Sequence, residues 1–314
     1  FGEDAVIASK ILGIVLTIRN NGGSQIVLAA FPHHSVEAYL PKLVRAGYRV
    51  AVCEQLEKPS KEKKIVKRGI SELVTPGVAF SDQLLDHKRN NYLCSIHRIG
   101  PQRIGIALTD VSTGEFLVSQ GQEDEIFRLI KQFQPSEILS SRAQSELIQN
   151  KLGPEFFYYH LEPWVYTEEH AIEQLTRHFE VSGLKGYGIE ELKDAQVAAG
   201  AVIEYLGQTH NDRLAHLNKI QRLHTKASVW LDEFTVRNLE LVRGQHPSST
   251  TLKDVLDRTI TPMGARHLER QILFPLIDSM AIEERLSIVE YFFNQDLKRE
   301  KLRELMHRMS DLER

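Results

Sequence analysis

The spacing of apolar residues along the chain changes from segment to segment, and those changes mark out its elements. Residues 4–12 (DAVIASKIL) set Ala5, Ile7, Ala8, Ile11 and Leu12 at mostly helical intervals behind an acidic start, which predicts a short amphipathic helix. The β-branched run at 14–18 (IVLTI) predicts a strand, and Asn20, Asn21, Gly22 and Gly23 form a turn before a second apolar run at 26–31, so a hairpin is expected. Ser35 is placed to cap a helix carrying Val36, Tyr39, Leu40, Leu43 and Val44, with Gly47 at its left-handed stop. Two further strands, YRVAVCEQL and GISELVTPGV, flank a charged loop. The order helix, strand, strand, helix, strand, strand describes a mixed α+β domain over residues 1–78.

Residues 79–91 are polar and suit a linker. After them YLCSIH, RIGIALTDVS and EFLVSQ read as strands. A helix follows with Ile126, Leu129, Ile130 and Phe133 on one face and Pro135 beyond its end. EILS, a helix over 141–150 and FFYYHL continue the alternation, consistent with a second, α/β domain over 92–212 that ends in the helices AIEQLTRHF and AQVAAGAVIEYLGQ. Residues 213–314 open with a strand-like interlude up to Trp230 and turn helical from about Asp232. From Leu252 onward nearly every segment has the amphipathic helix period, broken by Pro262, Gly264 and Pro275. The fold class expected is therefore multidomain: mixed α+β, then α/β, then an all-α segment.

The length of 314 residues suits two or three domains at roughly 100–200 residues each. With 42% apolar and 26% charged residues the chain can bury real cores. Charged residues interrupt every hydrophobic stretch well short of the ~20 residues that a membrane span needs. Cys53 and Cys94 sit in apolar strand candidates and are expected to be free core thiols, which fits a reducing cytoplasm. The chain opens at Phe1 without a cationic leader and apolar stretch, so it reads as an excised fragment.

The formal net charge of −3 excludes a wholly basic nucleic-acid coat but not a local patch. Residues 58–68 hold six Lys or Arg, among them Lys61, Lys63 and Lys64, and one Glu. Such density attracts phosphate, although a solvated loop explains it as well. Asp110 ends an apolar strand and is followed by Ser112, Thr113, Gly114 and Glu115. A carboxylate there could hold Mg²⁺ in a nuclease or simply stabilise a turn. His33 and His34 are adjacent and point apart, so they do not share a metal, and neither G-x-x-x-x-G-K-[ST] nor G-x-G-x-x-G occurs. No catalytic residue and no metal ligand is assigned.

Several strings in order resemble the MutS-type DNA mismatch-repair family: FGEDA at 1–5, Pro32 to Ser35 followed by VEAYLPKLVRAGYRVAVCEQLE, LVTPGV at 73–78, TDVSTGEF at 109–116, LKGYGIEEL at 184–192, AAGAVIEYLGQT at 198–209 and LKDVLDRTITPMGARHLERQILFPLID at 252–278. The resemblance implies a truncated mismatch-recognition domain, an RNase H-like connector without nuclease activity and the start of a helical core and lever. It implies duplex DNA with mismatches or small loops, a MutL-type protein and a second copy of the parent as partners. ATP and Mg²⁺ would belong to the parent's ATPase region, and no cofactor is expected for these residues. The family's Phe wedge and its Glu are expected just before Phe1, and the phosphate-binding loop beyond Arg314. Inserting a wedge costs stacking, and a mismatch lowers that cost because it is already weakly stacked.

By the same resemblance, Arg19 matches a basic residue near the DNA backbone and Leu28 an apolar residue facing the minor groove. An exposed turn role for Arg19 and a core role for Leu28 stay open. Arg266, Leu268 and Arg270 read as helix packing rather than a site. The alternatives are a metal-dependent nuclease built on Asp110 and Glu115, and a scaffold that docks partners.

Overall fold

The computed structural model describes residues 1–21, 24–57, 66–79, 84–100, 103–209, 214–223, 228–246 and 248–314. Helix α1 (Glu3–Leu12) stops at Gly13, whose φ of 67° is the left-handed stop that glycine adopts without strain. Strands β1 (Leu16–Asn21) and β2 (Ser24–Ala29) pair antiparallel with Asn21 opposite Ser24, which is the expected hairpin shifted by about two residues. A 3₁₀ turn at His33–Ser35 leads into α2 (Val36–Arg45), so Ser35 does not cap the helix with its side chain. The turn before the helix already occupies that position. Strands β3 (Val50–Gln55) and β4 (Arg68–Val74) form a second two-stranded ribbon with a bulge at Val52/Cys53. Cys53 is exposed on it, against expectation, as are most residues of both strands.

The largest body is a six-stranded sheet in the order β10-β7-β6-β5-β8-β9. Strands β5 (Tyr92–Ile99), β6 (Arg103–Asp110) and β7 (Glu115–Gln122) form an antiparallel meander. β8 (Glu137–Ser141) runs parallel to β5, and β9 (Tyr158–Leu161) parallel to β8. Helices α3 (Glu123–Phe133) and α4 (Ser145–Leu152) cover one face; α5 (Glu168–His178) and α6 (Lys193–Gln208) cover the other. With layers on both faces, β6 is buried from Ile104 through Asp110 and loses the alternation of a half-exposed strand. Alternate residues feed separate cores: Ile106 and Leu108 pack with α3, whereas Ala107 packs with α6. Gly105 lets α6 approach the sheet, since a Cβ there would lie 2.1 Å from the backbone carbon of Asp194. Burial pushes the Cys94 thiol pKa well up, in line with an inert core cysteine.

Within the segment classed as all-α, the interlude that reads as strand-like before Trp230 contributes the strand β10 (Gln221–Arg222), parallel to β7, and an isolated bridge between Ser228 and Leu276. Helices α7 (Glu233–Asn238), α8 (Leu252–Leu256), α9 (Pro262–Leu273) and α10 (Ser279–Phe293) each begin at a side-chain cap, supplied by Asp232, Thr251, Thr261 and Asp278. Pro262 starts α9 instead of breaking a helix, because the first turn has no use for its missing N–H, and Gly264 lies inside that helix. α11 (Asp296–Met306) follows α10. Among the described residues no helix is long and apolar enough to cross a membrane.

Candidate nucleic-acid interface

The β1–β2 register decides what the hairpin presents. Thr17 lies opposite Leu28 and Arg19 opposite Ile26, so these four side chains share one face, while Leu16, Ile18, Val27 and Ala29 share the other. Arg19 is exposed and, among the described residues, has no ion-pair or hydrogen-bond partner. Leu28 is half-buried on the same face, and its carbonyl accepts from Thr17 Oγ1 at 3.1 Å. A guanidinium fork and an apolar neighbour on one open ribbon can meet a phosphate and a groove floor together. Lys61, Lys63 and Lys64 lie outside the described residues. Lys67 and Arg68, at the end of the same basic run, are exposed.

A joint fastens this first unit to the large sheet, and no sequence motif pointed to it. Gly47, at φ 87°, brings its turn so close to Phe157 that a Cβ would meet the ring at 2.0 Å. Next to it the Arg49 guanidinium lies over the Tyr159 ring, 3.6 Å from the centroid, and 5.5 Å from that of Tyr205. The chain leaving β4 then hooks onto the buried carboxylate of Glu137. Thr75 Oγ1 donates to Glu137 Oε2 at 2.6 Å, Gly77 N donates at 3.0 Å, and Tyr205 OH donates to Oε1 at 2.6 Å. Burial, then the neighbouring Glu137 charge, drive the Tyr205 pKa far up, so its hydroxyl stays a neutral donor.

Asp110 and Glu115 do lie at one end of the sheet, but their oxygens are taken. Asp110 is fully buried; it accepts from Asn90 Nδ2 at 2.8 Å and the Asn91 amide at 3.1 Å on one oxygen, and from the Ser112 amide at 3.0 Å and Ser112 Oγ at 2.6 Å on the other. Glu115 accepts from Tyr92 OH at 2.6 Å and from Arg270 Nη1. Among the described residues no group of three or more His, Cys, Asp or Glu side chains could hold a metal ion. Asp110 holds its own turn and the Asn90–Asn91 segment, and Glu115 serves a junction. Arg270 ties α9 to Glu115, and Arg266, 4% exposed, spans Asp311, Glu313 and the His87 carbonyl. The helical spacing places Arg266 and Arg270 one turn apart on α9, which is the only signal that they could act together.

The family model for MutS domain I matches residues 1–83, that for MutS domain II residues 91–221 and that for MutS domain III residues 234–314. Relatives named DNA mismatch repair protein MutS from Phocaeicola vulgatus and Bacteroides thetaiotaomicron are each 47% identical over 315 residues, covering all of this chain and 36% of the relative. The relative of that name from Flavobacterium psychrophilum is 48% identical over the same shares. The chain thus spans little more than a third of the length of these relatives.

Proposed function

The chain belongs to the MutS family, and from that membership we propose that it is the part of a mismatch-repair protein that meets the DNA and carries the contact inward. The β1–β2 hairpin lies along duplex DNA bearing a mismatch or small loop, with Arg19 on a backbone phosphate and Leu28 towards the minor groove. Lys61, Lys63 and Lys64 add non-specific attraction. The shared open face of Arg19 and Leu28 is the observation that supports this best.

The large sheet acts as the connector. Its antiparallel meander running on into parallel strands supports the RNase H-like reading. Its role is mechanical: the joint at Glu137 and Arg49 holds the hairpin unit, and the junction at Arg266 and Arg270 holds the helices. Full occupation of Asp110 and Glu115 speaks against nuclease chemistry on this sheet. The parent acts in the cytoplasm as a homodimer with a MutL-type partner. Its ATP and Mg²⁺ find no fitting loop here, since G-x-x-x-x-G-K-[ST] does not occur among the 314 residues.

Gel-shift titration of matched and G·T duplexes at several salt concentrations tests the reading. The chain should bind both weakly and about equally. Arg19→Ala should weaken both alike and lower the slope of log affinity against log salt by roughly one unit. An unchanged slope would remove Arg19 from the interface, and a strong mismatch preference would contradict the placement of the wedge outside these residues.

A further inference from the structure

A cavity of about 250 Å³ lies where the connector meets α9, and its wall carries four guanidinium groups, Arg89, Arg243, Arg266 and Arg270, against one carboxylate, Glu269. Two of the four are neutralised: Arg266 by Asp311 and Glu313, Arg270 by Glu115. Glu269 is taken as well, since it accepts from the buried Lys253 ammonium. Arg89 reaches carboxylate oxygens only at 3.9 Å (Asp86) and 4.0 Å (Glu269), beyond hydrogen-bond distance. Arg243 makes no ion pair or hydrogen bond among the described residues. Burial brings its pKa down to about 10, although Glu269 pulls the other way.

The remaining wall is aromatic: Phe133 stands edge-on to Tyr92 at 5.2 Å and lies 5.1 Å from Phe274. Low-dielectric rings strengthen any charge interaction beside them and raise the cost of a cation without a partner. Arg243 is therefore left half-buried without an acceptor, and the exposed Arg89, with only those two distant carboxylates, faces the same cavity beside the polar side chains of Gln134 and Ser136. An oxyanion with several acceptor oxygens matches Arg forks in pairs. The volume falls just below the roughly 300–1,000 Å³ of pockets for drug-sized ligands.

We propose that this cavity is a binding site for a small phosphate-bearing anion, held by Arg243 and Arg89 at the joint between connector and helical segment. Occupation would bridge the 89–92 segment and the 243 loop, adding an anion-dependent clamp to the Arg266 and Arg270 contacts.

Isothermal titration of the 314-residue chain at constant ionic strength, with pyrophosphate, inorganic phosphate and a nucleoside monophosphate as separate probes, tests this. Saturable one-site binding is expected, weakened about tenfold or more by Arg243→Gln and by Arg89→Gln and unchanged by Arg237→Gln on the outer surface. Tighter pyrophosphate binding would point to a free inorganic anion, and tighter nucleotide binding to a nucleotide phosphate; either supports the site. Should circular dichroism show Arg243→Gln unfolded, Arg243→Lys keeps the charge without the fork and should bind more weakly than wild type. No saturation with any probe, or binding that neither Arg89→Gln nor a folded Arg243 variant changes, overturns the proposal.

Discussion

Replacing Glu137 by alanine removes one buried carboxylate from three donors at once. Glu137 is 2% exposed, and Thr75 and Tyr205 are 0% exposed, so water does not readily replace the lost acceptor. Each buried donor left without a partner costs about 1–3 kcal/mol, and loss of a buried charged partner as a unit about 3–5 kcal/mol. We expect about 3–5 kcal/mol for Glu137→Ala. Tyr205→Phe removes one of the three bonds and keeps the ring beside Tyr159, at 5.3 Å between centroids, so about 1.5–3 kcal/mol is expected. Because both changes break the same bond, the double variant should be less destabilised than the sum of the singles by at least 1 kcal/mol or so. Urea unfolding followed by circular dichroism measures all three. Hydrogen exchange at Val78, whose amide donates to the Thr75 carbonyl at 3.2 Å and to Thr75 Oγ1 at 3.1 Å, reports whether the loosening is local to the hook. A Glu137→Ala cost below about 1 kcal/mol, or full additivity with Tyr205→Phe, would refute the view that this carboxylate fastens the first unit to the connector.

Gly105→Ala sets a methyl group against the α6 backbone, which cannot rotate away, so a loss of about 3 kcal/mol or more is expected in the same unfolding assay. Asp257 accepts from Thr259 Oγ1, the Thr259 amide and Lys88 Nζ, which together hold its pKa near 2, below the ordinary 3.8. A depressed carboxylate contributes stability that is fully present above about pH 4 and is lost as pH falls towards 2. Asp257→Asn should therefore flatten the fall of the urea midpoint across that window, and an unchanged acid limb would show the carboxylate to be unimportant. Duplex DNA incubated with the chain and Mg²⁺ or Mn²⁺ should remain uncut; cleavage abolished by Asp110→Ala would restore the nuclease reading.

The elements were legible where one face of a segment meets the core. The stripe Ile126, Leu129, Ile130 and Phe133 identified α3, and the Asn-Gly turn identified the β1–β2 hairpin. Errors fell where local pattern and tertiary setting separate. Cys53 lies in an apolar string yet stands exposed, since burial depends on a covering layer and not on the string. Pro262 and Gly264 looked like breaks, but a Thr261 cap makes them a helix start. For the candidate site, the resemblance supplied Arg19 and Leu28, and the strand register placed them on one face.

By itself the sequence determined most of the succession of elements, and the family, because these follow from local periodicity and ordered strings. Only the tertiary structure decided that Glu137 is a hook, that Asp110 and Glu115 are spent on hydrogen bonds, and that Arg89 and Arg243 line one cavity. The physical reason is range. A residue's spacing carries information about its own helix or strand, whereas Glu137 meets Gly77 from 60 positions away and Arg270 meets Glu115 from 155 positions away. Whether a charge is paired, buried or left over depends on which partners folding brings to it.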